Sequence, residues 1–287
     1  MGALRDSAVD LQQRLSPRER TSAPATIVEI DERSLAAYGQ WPWPRSRLAA
    51  LLERIHAAQP AAVGLDLLFP EPDRYSPAAL AEALPQIPPE VSGRLRALPG
   101  NDALLAGEMR GRPVVLAVAG MERIDDGASL PAFASRLASI AELTLAAAGQ
   151  GLISSASATR VVRRMPVAGR IEGTLVPALA LEMFRVATRA PAFTLASRPD
   201  GLLEAVVGDI RVPAQADGLA WLRFSRHDPL RYVSAAAVLE GRADPELLRS
   251  KLVLIGVTGL GLVDHVETPL GERVPGVELH AQLIEQI

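Results

Sequence analysis

Apolar positions cluster in four short runs set far apart along the chain. Ala25–Ile30 (ATIVEI), residues 61–69 (AAVGLDLLF), residues 114–119 (VVLAVA) and Leu252–Val257 (LVLIGV) contain little polar alternation and are rich in β-branched residues. Runs of this kind predict strands covered on both faces, as in a parallel sheet enclosed by helices. Between the first two, Ser46 can cap a helix whose Leu48, Leu51, Leu52 and Ile55 form one apolar stripe, ending before Gln59 and Pro60. Strand, helix and strand joined by short links predict a right-handed parallel βαβ unit.

The rest of the pattern adds helices and a smaller antiparallel part. Leu4, Ala8, Leu11 and Leu15 recur at helical spacing and predict an amphipathic lead-in helix, followed by a charged linker over 16–24. Asn101 or Asp102 can cap a short helix before the third apolar run. Residues 133–148 read as a long alanine-rich helix closed by Gly149, 151–155 as the start of a strand, and 175–188 as another helix. Residues 202–207 and 210–212 flank Gly208 and Asp209 as a tight hairpin, 219–224 read as a further strand, and a last helix begins at Val277. The fold class is therefore α/β: one domain over 25–287 with a mainly parallel central sheet, helices on both faces and a small antiparallel addition near 202–224. A helix and linker over 1–24 precede it, and seven prolines mark 70–100 as a mobile surface excursion.

The strand ends bring the first candidate chemistry. Asp31 follows the first run, Asp66 lies in the second, and Asp264 and His265 follow the last. In a parallel sheet these segments share the carboxyl-end rim, where open α/β folds bind ligands. Trp41-Pro42-Trp43-Pro44 and Arg45 lie on the connector leaving that rim, and the prolines make it stiff. The expected ligand-binding set is Asp31, Trp41, Trp43, Arg45, Asp66, Asp264 and His265, where a small polar or cationic ligand would meet carboxylates beside an aromatic wall. Structural readings compete with it: the two aspartates cap helices or loops, the indoles plug the edge of a core, and Arg45 permanently neutralises the carboxylates.

Other motifs subtract chemistry. Gly256, Gly259 and Gly261 follow a strand, but the spacing differs from a phosphate loop and no Walker lysine follows, so a tight turn is expected. The arginines of 160–164 read as a solvated turn and strand edge. His56, His227, His265 and His280 have no metal-ligand spacing, and no GxSxG elbow accompanies them. No catalytic residue, metal or cofactor is expected.

Composition narrows the class further. The 287 residues are 48% hydrophobic, enough for a globular core. A net charge of −3 without a sustained basic stripe excludes a nucleic-acid partner. There is no cysteine, so neither disulfides nor thiolate metal sites can form. No apolar run reaches the roughly 18 residues of a membrane span, and the first residues lack the apolar core of a signal peptide. The chain stops at Ile287 inside what reads as a helix, as expected of a piece of a longer protein.

Ile30-Asp31-Glu32-x-Ser34-Leu35 followed by Gly39-Gln40-Trp41-Pro42-Trp43-Pro44-Arg45 resembles the signature of the CHASE type-2 family. The resemblance continues in Gly64-Leu65-Asp66-x-x-Phe69-x-Glu71-x-Asp73, Lys251-Leu252-Val253-Leu254-Ile255-Gly256, Gly261-Leu262-x-Asp264-x-x-x-Thr268-Pro269 and Pro275-Gly276-Val277-Glu278-x-His280-Ala281. It spans nearly the whole chain. Where the family usually carries aspartates before an arginine pair, this chain has Ser157-Ala158-Thr159. The resemblance implies a bacterial extracytoplasmic sensor, periplasmic or extracellular, held between transmembrane segments. It would feed a cytoplasmic nucleotide cyclase such as an adenylate cyclase, a histidine kinase or a protein kinase, respond to a small-molecule or protein signal, and act as a homodimer. The rivals are a small α/β hydrolase of ester or phosphate substrates using Asp66, Asp264 and His265, and a purely structural dimerisation scaffold.

Overall fold

The computed structural model describes residues 2–124, 130–154, 161–261 and 265–287. Its centre is a parallel sheet in the order Tyr232–Ser234, Ala25–Ile30, Leu252–Val257, Ala62–Leu65, Val114–Ile124 and Gly149–Leu152. The first two apolar runs are parallel, as the βαβ reading requires, but Leu252–Val257 is hydrogen-bonded between them. The most apolar strand thus takes the most enclosed place.

Strand periodicity sorts the core into two layers. Val28, Ile30, Val63, Leu65, Val253 and Ile255 face the helices Arg45–Ala57 and Asn101–Met109. Ala25, Ile27, Ala62, Leu252 and Leu254 face Leu179–Thr188 and Gly276–Gln286. Glycine lets this second pair of helices come close: a Cβ on Gly64 would lie 2.4 Å from Met183 Sδ, and one on Gly256 would lie 2.9 Å from Val277 Cβ.

Beyond the parallel part, the far end of Val114–Ile124 pairs antiparallel with Ala132–Leu137, and Ala168–Ile171 and Thr174–Pro177 extend that edge. This corrects the long helix expected over 133–148, of which only Ala141–Ala146 is helical. The cause is long-range: a Cβ on Gly120 would lie 2.2 Å from Phe133 Cγ, so the ring lies on the glycine of the neighbouring strand and packing overrides alanine's helix propensity. Gly149 is a strand residue rather than a helix cap, and the helix expected from 175 begins at Leu179. The 202–224 region is antiparallel as expected but stands outside the central sheet. Leu203–Val207 pairs with Phe193–Ser197 and Ile210–Ala214, while Leu219–Trp221 pairs with Arg164–Pro166. The proline-rich excursion carries two short helices, Pro77–Ala83 and Pro89–Arg96.

The lead-in helix, Gly2–Leu15, docks by the face opposite to its expected stripe. Leu11 and Leu15 are 59% and 77% exposed. Gln13 is buried instead: its amide donates to the Leu222 carbonyl (3.0 Å) and accepts from the Phe224 N–H (2.9 Å), satisfying backbone groups just past the Leu219–Trp221 strand. Asp10 pairs with Arg163 at 2.7 Å, which ties down one arginine of the 160–164 cluster.

Tight glycine contacts give a stability test. A Cβ on Gly151 would lie 2.4 Å from the backbone Cα of Leu179, whereas Gly107, within Asn101–Met109, has open space around it. Gly151→Ala is expected to cost about 1–3 kcal/mol and Gly107→Ala to stabilise by about 0.5–1 kcal/mol, read from urea unfolding midpoints.

Candidate functional site

The carboxyl-end rim begins with a cap. Asp31 ends the Ala25–Ile30 strand and starts the helix Glu32–Tyr38, where it accepts from the Ser34 N–H at 2.9 Å and from the Ser234 hydroxyl at 2.9 Å. Its Oδ1 is therefore engaged in joining two strand ends, the structural alternative for this residue. Glu32 accepts from the Leu260 N–H at 2.7 Å, so the Gly259–Gly261 turn is pinned by a side chain instead of cradling an anion.

The tryptophan-proline connector builds the nearest concavity. Trp43 is buried, donates from Nε1 to the Gly39 carbonyl (2.8 Å), and packs edge-on against Tyr38 with centroids 5.8 Å apart. Trp41, preceding a cis Pro42, stays half-exposed 6.2 Å from it. Together with Phe69, Glu71, Arg74 and Tyr75, Trp41 walls a cavity of about 240 Å³. Arg45 supports that wall from behind. Its guanidinium stands 5.1 Å from the Phe69 ring and donates to the Asp102 carboxylate and the Glu71 carbonyl, and its N–H donates to Asp73 at 2.7 Å. Asp73 also accepts from the Asn101 amide and the Tyr75 N–H, each at 2.8 Å. Arg45 thus neutralises Asp102, in the helix Asn101–Met109, rather than Asp31 or Asp66. Among the described residues, the Glu71 carboxylate and the Trp41 ring carry no such tie, whereas guanidiniums stand over the other two rings, Arg45 at 5.1 Å from Phe69 and Arg74 at 5.0 Å from Tyr75.

Asp66 stands at the end of Ala62–Leu65, its N–H bonded to the Ile255 carbonyl at 2.9 Å. Desolvation pushes its carboxyl pKa up, against an opposing pull from His280. His280 is buried in the final helix, its Nδ1 has no hydrogen-bond partner, and desolvation pushes its pKa down. Glu29, beside the same rim, is also raised by desolvation while Thr258 donates to it at 2.8 Å. His265 lies in a small hairpin, His265–Glu267 with Arg273–Pro275. Asp264 and Ser157-Ala158-Thr159 fall outside the described residues. Among the described residues, no group of three His, Asp or Glu could hold a metal ion.

The family model for the CHASE2 domain matches residues 1–287, the whole chain. The chain belongs to the CHASE2 family. CHASE2 domains are extracytoplasmic sensor domains. No curated protein and no solved structure matches the chain. No helix among the described residues is long and apolar enough to cross a membrane.

The final helix of this CHASE2 domain is locked to the linker that follows the first helix by a buried ionic network that the sequence did not reveal. Arg231, Glu278 and Glu285 have fully buried side chains. Arg231 binds Glu278 at 2.7 Å and Glu285 at 3.0 Å, and donates to Ser225 at 2.8 Å. From the linker, Arg18 and Arg20 reach Glu285 at 2.9 and 2.8 Å, and Arg20 also binds Asp228 at 2.7 Å. Burial alone would raise the Glu285 pKa, but hydrogen bonds and charge from Arg231, with Arg20 and Arg18, outweigh it and hold the group below its ordinary range. Tyr232 donates its hydroxyl to Glu278, and Gln282 bonds both the Ser225 carbonyl and Glu278 at 3.0 Å. Three arginines meet two glutamates and one aspartate, so the cluster closes without net charge.

Arg231→Met would leave Glu278 and Glu285 buried without their shared cation. We expect a loss of about 3–5 kcal/mol in denaturant unfolding, with no recovery in Arg231→Lys, which cannot fork to two carboxylates.

The histidines set an acid sensitivity. At the opposite rim, His56 Nδ1 contacts Arg112 Nη1 at 2.9 Å and its Nε2 is buried without a partner. Burial, then the Arg112 charge, lower its pKa to about 4. The unfolded chain therefore takes up the proton first, and stability is lost as pH falls from about 6.5 toward 4, with His280 acting in the same direction. Unfolding free energy is expected to fall by about 1–2 kcal/mol more between pH 7 and 5 in the wild type than in His56→Gln, which would be measured by urea denaturation at both pH values.

Proposed function

We propose that this CHASE2 domain is the input module of a transmembrane receptor, without catalytic activity of its own, that regulates a cytoplasmic nucleotide cyclase, histidine kinase or protein kinase. The observation that carries this reading is the convergence of the terminal helices. Arg5 of the first helix lies 5.0 Å from the Trp221 ring, and Gln286 of the last donates to the Trp221 carbonyl at 3.1 Å. Farther in, Arg18 joins Gln282 at 2.9 Å. The beginning of the first helix and the end of the last therefore meet at Trp221, on one side of the domain, as two flanking membrane segments require.

The signal enters at the other end. Arg45 and Arg74 already lie over Phe69 and Tyr75, so a small cationic ligand would meet the Trp41 face and the Glu71 carboxylate. Asp66, with its raised pKa and its coupling to His280, links the rim to the last helix. A ligand acts by binding one arrangement of the terminal helices better than another, and a preference of about 1.4 kcal/mol shifts their ratio tenfold. Among the described residues, Asp66 feels the charge of His280 while His265 stands in a separate hairpin, which favours the receptor reading over the hydrolase alternative.

The test uses the full-length receptor in cells. Trp41→Ala and Glu71→Gln are expected to lower stimulated output about tenfold or more with basal output retained, and Asp66→Asn to change both. Wild-type output from all three variants, with the domain folded by circular dichroism, would defeat the reading. Ester or phosphate hydrolysis by the purified chain, abolished in His265→Ala, would establish the hydrolase instead.

A further inference from the structure

The side on which the terminal helices converge carries a second, chemically distinct site. Beside Gln286 and Ile287 lies a cavity of about 330 Å³ lined by Arg211, Val212, Pro213, Gln215, Trp221 and Arg223. Trp221 is the centre of this side. Two guanidiniums flank it, Arg5 at 5.0 Å and Arg164 at 5.3 Å from the ring centroid. Arg223 is exposed and makes no side-chain ion pair among the described residues; only its backbone is used, accepting from Arg18 at 2.9 Å and donating to Gln286 at 2.8 Å. Arg5 bonds the neutral Gln215 at 3.2 Å. The acidic groups nearby are Asp217, paired with Arg164 at 2.7 Å, and Glu204, paired with Arg211 at 2.9 Å. Four arginines against two carboxylates leave this side basic around one indole.

We infer that the Trp221 cavity is a docking site for the phosphate of an anionic phospholipid headgroup, and that it seats the domain on the membrane surface beside its own exit helices. Charge complementarity argues for this occupant. Arg223 presents its N–H donors to a phosphate, Arg211 adds those that its Nη1 bond to Glu204 leaves over, and an indole suits the boundary between headgroup and acyl chain. Position argues for it as well, since the cavity adjoins the last residues of the final helix. The inference rests on the receptor reading only for that position, and its test does not require receptor output.

The purified chain would be co-sedimented with vesicles of phosphatidylcholine alone or with 30% phosphatidylglycerol, an arbitrary anionic fraction of about one third. Binding to the anionic vesicles is expected, falling steeply with added salt. Each arginine neutralised should weaken it about fivefold, so Arg211→Gln with Arg223→Gln should lose roughly twentyfold. Trp221→Ala should weaken whatever binding the double variant retains. Equal binding to both vesicle types, or wild-type binding by the double variant at unchanged folding, would overturn the inference. Competition by millimolar inorganic phosphate would also overturn it, identifying a free-anion site in place of a lipid site. If vesicle binding fails while Trp41→Ala still silences the receptor, this inference falls and the receptor reading stands.

Discussion

A guanidinium without access to water has to be answered by carboxylates, and this requirement organises one half of the molecule. Arg231 lies on the short 3₁₀ turn before the edge strand Tyr232–Ser234, so its position is fixed by the sheet. Its two partners, Glu278 and Glu285, are two turns apart on the final helix. That spacing sets both the rotation and the height of the helix. Glu285 has acceptor capacity to spare, and Arg18 and Arg20 use it, so the linker after the first helix is held by the same charge. Desolvating such a cluster is expensive, and hydrophobic residues of equal volume could give comparable stability. What the ionic cluster adds is registry: the final helix cannot slide against the linker and the Arg231 turn without leaving a buried charge unpaired.

The opposite rim follows a different logic. Asp73 and Asp102 are consumed by backbone N–H groups and by Arg45, which makes the tryptophan-proline connector and the start of the proline-rich excursion one rigid body. A pocket wall fixed in this way loses little entropy on meeting a ligand. Asp66 and His280 are left out of that scaffold. Each is desolvated in a direction that favours its neutral form, and His280 lacks a hydrogen-bond partner at Nδ1. Unspent polar capacity of this kind is costly where it has no use.

Legibility from sequence followed the range of the deciding interaction. The buried strands were readable because β-branched runs encode them locally, and Asp31 followed by Ser34 is a local capping signal. Residues 133–148 misled because alanine content speaks for helix, while the outcome depends on Phe133 meeting Gly120 in another strand. The lead-in helix misled in the same way. Its leucines have the spacing of a buried stripe, yet Gln13 is the residue that docks, drawn in by backbone groups of 222 and 224 that need partners. Of the expected site, Trp41, Trp43 and Arg45 do meet at one cavity, whereas Asp31 is spent on capping and His265 stands in a separate hairpin. Phe69, Glu71, Asp73 and His280 stood in the family motifs without being singled out as site residues. Arg231 had no local signal at all, because only the fold reveals which arginine of many is buried.

The final helix joins these two regimes. Gly276–Gln286 spans about 16 Å at the usual rise per residue. At its start Val277 packs onto Gly256 of the central strand, in its first half His280 couples to Asp66, and near its end Glu285 holds the linker. A rigid rod fixed at three heights cannot bend to absorb a change at one of them. A ligand that alters the protonation or position of Asp66 must therefore either be resisted by the ionic cluster or move the helix as a unit against it. Both oxygens of Glu278 and both of Glu285 are already bonded, so a rotation that exchanges one for the other breaks a second contact. The cluster therefore resists rotation of the final helix as well as sliding, so a displacement at one of the three heights is carried by the helix as a unit.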